Sequence, residues 1–258
     1  MPKPHAPPPL SHALDGREQD LLHYIYSLPT LPNLKDNPKE ILKAIDTYSA
    51  TQQPLMNIGI PKGNYIRDLI IAHKPHTIIE LGGYVGYSAM LFGDTLRRIH
   101  PDGRYLSLEQ NPEMAAVANQ LLELAGLRDV VRVIVGSAAT SLRELVDRGE
   151  LRAVEFLFLD HWQELYRPDL WLLEDLGVLV PGTSVVVADN VVYPGAPEYL
   201  EWVRASCEEK RVWVRQKERE LAGLRPRPGL VYRTAVREFE TAFGRDGVAV
   251  TIVDGEED

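Results

Sequence analysis

Oxygen-bearing side chains stand at the ends of two short apolar runs, and their types suit a hard cation. Phe156 to Leu159 lead into Asp160-His161-Trp162, and Val185 to Ala188 lead into Asp189-Asn190. Two carboxylates and an amide form an oxygen-only donor set. Mg²⁺ takes such donors in octahedral geometry and keeps positions open for water and substrate; Mn²⁺ or Ca²⁺ accepts the same atoms. Asp189 and Asn190 could instead cap a following turn. Asp160, directly after four apolar residues, is harder to explain by capping alone. His161 reads as a packed or stacking residue, because a hard site prefers oxygen. Trp162 reads either as core or as a cover over an adenine.

Two further run ends point to a nucleoside. Glu80-Leu81-Gly82-Gly83-Tyr84-Val85-Gly86 holds three glycines that permit a tight turn and let a ligand approach bare backbone. The spacing departs from G-x-G-x-x-G, so a plain strand-to-helix turn is the competing reading. Glu109 ends the next run, where an acidic residue would accept from both ribose hydroxyls. An ordinary surface glutamate is the alternative there, and its place after a glycine turn favours the nucleoside.

These residues need a scaffold that brings run ends together. Runs at 77–81, 104–109, 130–136, 154–160 and 183–190 are short and rich in Val, Ile, Leu and aromatics, and helical patterns separate them. One such pattern, 111–126, places Met114, Val117, Leu121 and Leu124 on one face. The alternation predicts an α/β fold with a doubly wound, mostly parallel sheet and helices on both faces, whose ligands bind at the carboxyl ends of the strands. Helical periodicity over 15–28, 37–50 and 63–73 adds N-terminal helices. Runs at 211–216 and 229–236 lack a helical pattern between them and are expected to pair antiparallel at one edge. The segment 247–253 is expected to add one more edge strand, and the acidic end to be solvated.

Composition narrows the function. At 258 residues, with 45% hydrophobic and 25% charged residues, the chain has material for one domain with a proper core. A flexible proline-rich arm is expected over 1–14 and a single domain over 15–258, with N-terminal helices and a cofactor-covering segment at 15–62 and an extension at 237–258. The formal net charge of −9 opposes nucleic acid as a partner. Cys207, alone, forms no intramolecular disulfide and has no zinc-ligand spacing. No apolar run reaches membrane-spanning length and no signal-peptide layout is present, so a cytoplasmic enzyme acting on a small molecule is expected. Oligomeric state is not legible.

Several motifs in one order over about 15–236 resemble the catechol O-methyltransferase family of fungal and bacterial type. They are MNIGIPKG at 56–63, IELGGYVGYSA at 79–89, LEQNP at 108–112, AGLRDVVRVIVG at 125–136, FLDHW at 158–162 and VVADNVVYPGAPEYL at 186–200. The resemblance implies a Rossmann-like S-adenosylmethionine-dependent methyltransferase. It implies that Glu80, Gly82, Tyr84 and Ser88 surround the methionine part of the cofactor, with Met56 and Ile58 over the reaction centre. Glu109 would hold the ribose, while Gly136, His161 and Trp162 frame the adenine. Asp160, Asp189 and Asn190 would bind Mg²⁺, and Pro194 would line the acceptor pocket. In that family the metal grips two adjacent catechol oxygens and aims one at the sulfonium methyl for an in-line displacement.

The chain departs from that pattern at the expected base. The family motif has lysine after the tryptophan, and this chain has Gln163, an amide with no titratable proton in the working range. Pro54 stands where an aromatic gatekeeper is frequent, and Ala138 and Ala139 replace polar residues near the adenine. Glu218 and Glu220 are the two candidates for an acidic contact to the acceptor's second hydroxyl. The expected activity is therefore methyl transfer to a catechol-like small molecule. The alternatives are another oxygen acceptor, or a non-methylating role on the same scaffold.

Overall fold

A computed structural model describes residues 15–241 and 244–258; the expected proline-rich arm lies outside them. In chain order the elements are α1 (Arg17–Ser27), α2 (Leu31–Leu34), α3 (Pro38–Thr51), α4 (Gly59–His73), β1 (Thr77–Leu81), α5 (Tyr87–Ile99), β2 (Arg104–Glu109), α6 (Pro112–Leu124), β3 (Val131–Val135), α7 (Ala138–Asp147), β4 (Phe156–Leu159), α8 (Tyr166–Asp175), β5 (Val185–Ala188), α9 (Pro197–Arg204), α10 (Cys207–Gln216), β6 (Leu230–Thr241) and β7 (Gly244–Glu256). The strands form a seven-stranded mixed sheet in the order β3-β2-β1-β4-β5-β7-β6. Each of the five expected parallel strands is present within two residues of its expected bounds.

The chain packs as two compact units interleaved along the sequence. The described residues up to His76 form the first, with 83–135 and the described part of 240–244. Two of its helices, α3 and α6, begin where a side chain satisfies free N–H groups of the first turn. Asn37 accepts from Glu40 N ahead of Pro38, and Asn111 accepts from Glu113 N and Met114 N ahead of Pro112. The apolar faces of the unit's helices bury Leu21, Ile25, Ile41, Ile45, Ile66 and Leu121. Strands β2 and β3 pair parallel from Tyr105↔Val131 to Glu109↔Val135.

Residues 77–82, 136–239 and 245–258 form the second unit. Here β1, β4 and β5 run parallel, with Leu81↔Leu159 and Leu159↔Ala188 in register, and every residue of the three strands is buried. In β4 and β5 the run is continuously apolar, as a strand covered on both faces requires. The order turns back between β1 and β4, so their carboxyl ends flank the switch point where open α/β sheets bind ligands.

Two expectations at the C-terminal side are corrected. Residues 211–216 are not a strand but the end of α10: Ser206 Oγ accepts from Glu209 N, Glu209 accepts from Ser206 N, and this reciprocal cap starts a helix that carries Trp213 onto Trp171 and Trp202. Residues 247–253 are not an edge strand. They lie in β7, which pairs antiparallel with β5 from Val185↔Ile252 to Ala188↔Ala249 and has β6 on its other side. The outer strand is β6, whose Arg233, Arg237, Glu238 and Glu240 are exposed, as an unpaired edge favours. Among the described residues no helix is long and apolar enough to cross a membrane.

Candidate functional site

The strand ends of the second unit gather the oxygen-bearing residues. Because Leu159 and Ala188 are register partners, the residues that follow them, Asp160 and Asp189, leave the sheet side by side. Their backbone N–H groups still donate into it, Asp160 N to Leu81 O and Asp189 N to Leu159 O, each at 2.9 Å. Asn190 follows with φ +56°, a left-handed conformation that asparagine tolerates. Asp189 is buried, Asp160 and Asn190 half-buried. The Tyr166 hydroxyl donates to Asp189 O at 3.1 Å, and its pKa is driven well up, first by burial and then by the charges of Asp160 and Asp189.

Gly82 sits against this group at the end of β1. Its φ is +96°, and a Cβ there would lie 2.5 Å from the carbonyl oxygen of Asp160 and 2.9 Å from His161 Cβ. Only glycine fits, since any side chain would displace the backbone that carries Asp160. Glu80 is fully buried within β1, beside Phe158 in register. His161 Nε2 bonds Asp169 Oδ2 at 2.7 Å, while Nδ1 is buried without a partner. Trp162 is exposed, Gln163 hydrogen-bonds Tyr166, and Pro194 lies in the turn Val191–Gly195. Gly136 precedes Ser137, whose hydroxyl caps α7 at Thr140 N, with Ala138 and Ala139 in the first turn.

In the first unit Glu109 is held at the end of β2 by two backbone donors: Tyr84 N to Oε2 at 2.8 Å and Asn111 N to Oε1 at 2.7 Å. Each carboxylate oxygen accepts more than one bond, so Glu109 is oriented and can still receive two hydroxyls. Tyr84 itself has φ +44°, and its hydroxyl donates to Glu18 at 2.7 Å. Ser88 is buried in α5, Ile58 is buried ahead of α4, and Met56 is exposed. Between them, both polar atoms of the Asn57 side chain are buried without partners. The Pro54 carbonyl accepts from Arg17.

Three residues of consequence carry no sequence signal by themselves. Asn57 lies inside a quoted motif, yet only burial without a partner marks it. Asp169, eight residues beyond His161, fixes that ring. Asp246, fifty-six residues beyond Asn190, bonds its amide at 2.8 Å. Of the two acidic candidates for an acceptor contact, Glu220 lies 3.7 Å from Arg167 and 3.4 Å from Lys217. A separate His76, His100 and Asp102 cluster lies in the first unit. The two imidazoles stack at 3.6 Å with planes 25° apart. One nitrogen of the His100 ring is engaged, Nε2 bonding Lys74 O at 2.9 Å.

A family profile described as O-methyltransferase matches residues 35–221. Bovine catechol O-methyltransferase is 36% identical over 200 residues, covering 77% of this chain and 71% of the relative. The mouse enzyme of that name is 39% identical over 170 residues, 66% of this chain and 63% of its own length. Among solved structures, an O-methyltransferase from Bacillus cereus in complex with SAH aligns with a TM-score of 0.60 at 22% identity, over 92% of this chain and 96% of that one. TomG, an O-methyltransferase from Streptomyces achromogenes in complex with SAM, gives 0.58 at 24% identity over the same shares. The structural likeness carries the fold, a Rossmann-like methyltransferase sheet. With the profile spanning well over half of its length, the chain belongs to the O-methyltransferase family.

Proposed function

We propose that this protein transfers the methyl group of S-adenosylmethionine to an oxygen of a catechol-like small molecule, with Mg²⁺ held by Asp160, Asp189 and Asn190. The observation that carries the metal is the register pairing of Leu159 with Ala188, which sets two carboxylates and an amide at adjacent strand ends. The donor set fits a hard cation, because all three side chains offer oxygen. In the second unit the Nδ1 of His161, buried without a partner, fits a polar ligand that satisfies it. When bound, the cofactor supplies an electrophilic methyl and the cation a positive charge that favours an acceptor oxyanion.

The chain's own residues then bind and orient. Glu109, fixed by two N–H groups, accepts from ribose hydroxyls; Gly82 keeps backbone bare beside Asp160; Glu80, Tyr84, Ser88, Met56 and Ile58 surround the methionine part, and Gly136, His161 and Trp162 the adenine. Holding nucleophile and methyl in line removes an orientational cost of up to ~7–11 kcal/mol in favourable systems. Gln163 cannot take the acceptor's proton, so this residue orients by hydrogen bonding and the proton leaves to water. Pro194 flanks the acceptor.

The same Gln163 favours a second reading, a different oxygen acceptor or a non-methylating role. Calorimetry with S-adenosylmethionine, with and without Mg²⁺, followed by mass spectrometry on a panel of catechols, separates them. The proposal expects a product one methyl heavier that forms only with metal. Tight cofactor binding with no product from any acceptor would support the second reading instead.

A further inference from the structure

Asp246 opens the buried part of β7 and is 4% exposed. Its carboxylate is bonded by donors from two different elements. Asn190 Nδ2 donates to Oδ2 at 2.8 Å, while Tyr193 N at 2.9 Å and Gly247 N at 2.6 Å both donate to Oδ1. Two backbone N–H groups on one oxygen fix the rotation of the carboxylate, because turning it would leave them without an acceptor in a buried place. The close approach is permitted by Gly247, where a Cβ would lie 2.7 Å from Val192 Cγ2.

A carboxylate only accepts, so the atom of Asn190 that faces Oδ2 must be the NH₂ group. The amide oxygen is then turned the other way. An asparagine amide has two nearly isosteric orientations, and one of them would present N–H groups, which repel a cation. We infer that Asp246 is a positioning residue that sets which atom of the Asn190 amide is offered to a divalent cation. This inference rests on the metal reading above. It gives the C-terminal hairpin a role in the site, from a distance of 56 residues in sequence.

The chemistry predicts an unusual order of substitutions. In Asp246→Asn the oxygen stays where the two backbone N–H groups demand it, so the new NH₂ faces Asn190. Asn190 must then turn its oxygen toward that NH₂ and its own NH₂ toward the cation. Asp246→Ala merely frees the amide to rotate. Pairing Asp246→Asn with Asn190→Asp restores both a donor–acceptor match and an outward oxygen. Mn²⁺ is the probe, titrated into the full chain without cofactor or acceptor and followed by electron paramagnetic resonance, with circular dichroism as the check of folding. We expect Asp246→Asn to weaken Mn²⁺ about 10–100-fold, Asp246→Ala to weaken it less, and the double variant to recover most of the loss. A purely structural role for Asp246 would make alanine the worse substitution and leave the double variant no better than Asp246→Asn; that order overturns the proposal. If wild-type Mn²⁺ binding is lost in Asp160→Ala but undiminished in Asp246→Asn, the positioning role fails while the metal reading stands. If the wild-type chain takes up no Mn²⁺, both fall.

Discussion

Within the second unit two clusters bury charge, and they are built on opposite plans. Around Glu174, the chain supplies every partner itself. Trp202 Nε1, Tyr232 OH and Arg227 N donate to the carboxylate, and the buried Lys210 ammonium donates to Leu230 O while lying over Trp202 and Tyr232. Trp171, Trp202 and Trp213 pack around them at ring separations of 4.8–5.9 Å. At the strand ends, Asp160, Asp189 and Asn190 collect oxygen, and the donor face of the one amide among them is turned onto Asp246. The first cluster closes on itself and holds the fold. The second sets two carboxylates and an amide at adjacent strand ends, the donor set of the proposed cation site. Removing the first should therefore cost folding, and removing the second should cost binding and turnover.

The largest effect is expected at the strand ends. Asp160→Ala should abolish metal-dependent methyl transfer in a product assay while thermal unfolding stays close to the wild type; a matching loss of folding would put Asp160 in the same class as Glu174. Next comes Gly82→Ala. A Cβ 2.5 Å from the Asp160 carbonyl, at φ +96°, should cost about 1–3 kcal/mol in denaturant unfolding and weaken Mn²⁺ binding, because the backbone that carries Asp160 must move. Unchanged stability would show that the turn relaxes freely.

Gln163→Lys should act in the opposite direction. A titratable base returns beside the acceptor, so turnover on simple catechols should rise, by as much as ~10²-fold, and the rate–pH profile should shift to lower pH. No gain in an otherwise intact protein would mean that proton removal at this position does not limit the rate. The smallest effect is a pH slope in stability. Burial pushes Glu174 from its ordinary 4.5 up to about 7, against the hydrogen bonds and Lys210 that lower it. The folded state thus holds a proton that the unfolded chain releases, and this contribution to stability is full below about 4.5 and lost as pH rises toward 7. Glu174→Gln, which cannot titrate, should flatten that part of the unfolding curve.

What the sequence disclosed follows from how far each signal reaches along the chain. Strands β1, β2 and β3 were legible as short Ile-, Leu- and Val-rich runs between helical patterns; β4 and β5 were legible because burial on both faces demands uninterrupted apolar runs, and both have them. Asp160 and Asp189 were legible as strand-end residues for the same reason. The segment Val212-Trp213-Val214 misled, since three bulky residues in a row resemble a strand; the cap at Ser206 and Glu209 outweighs them. The segment 247–253 is as apolar as a central strand, and its position near the chain's end suggested an edge that β5 on one side and β6 on the other exclude. Asp246 was not legible at all. Beside Gly247 it reads as a turn residue, and its partners Asn190 and Tyr193 become neighbours only when β7 docks against β5.

The most direct test is a titration of Mg²⁺ into metal-stripped protein with S-adenosylmethionine and a catechol, reading methylated product by mass spectrometry. The account predicts no product without the cation, a saturable rise with it in the wild type, and no rise in Asp160→Ala. Product that forms at the same rate with the metal chelated, or that is indifferent to the loss of Asp160, would contradict it.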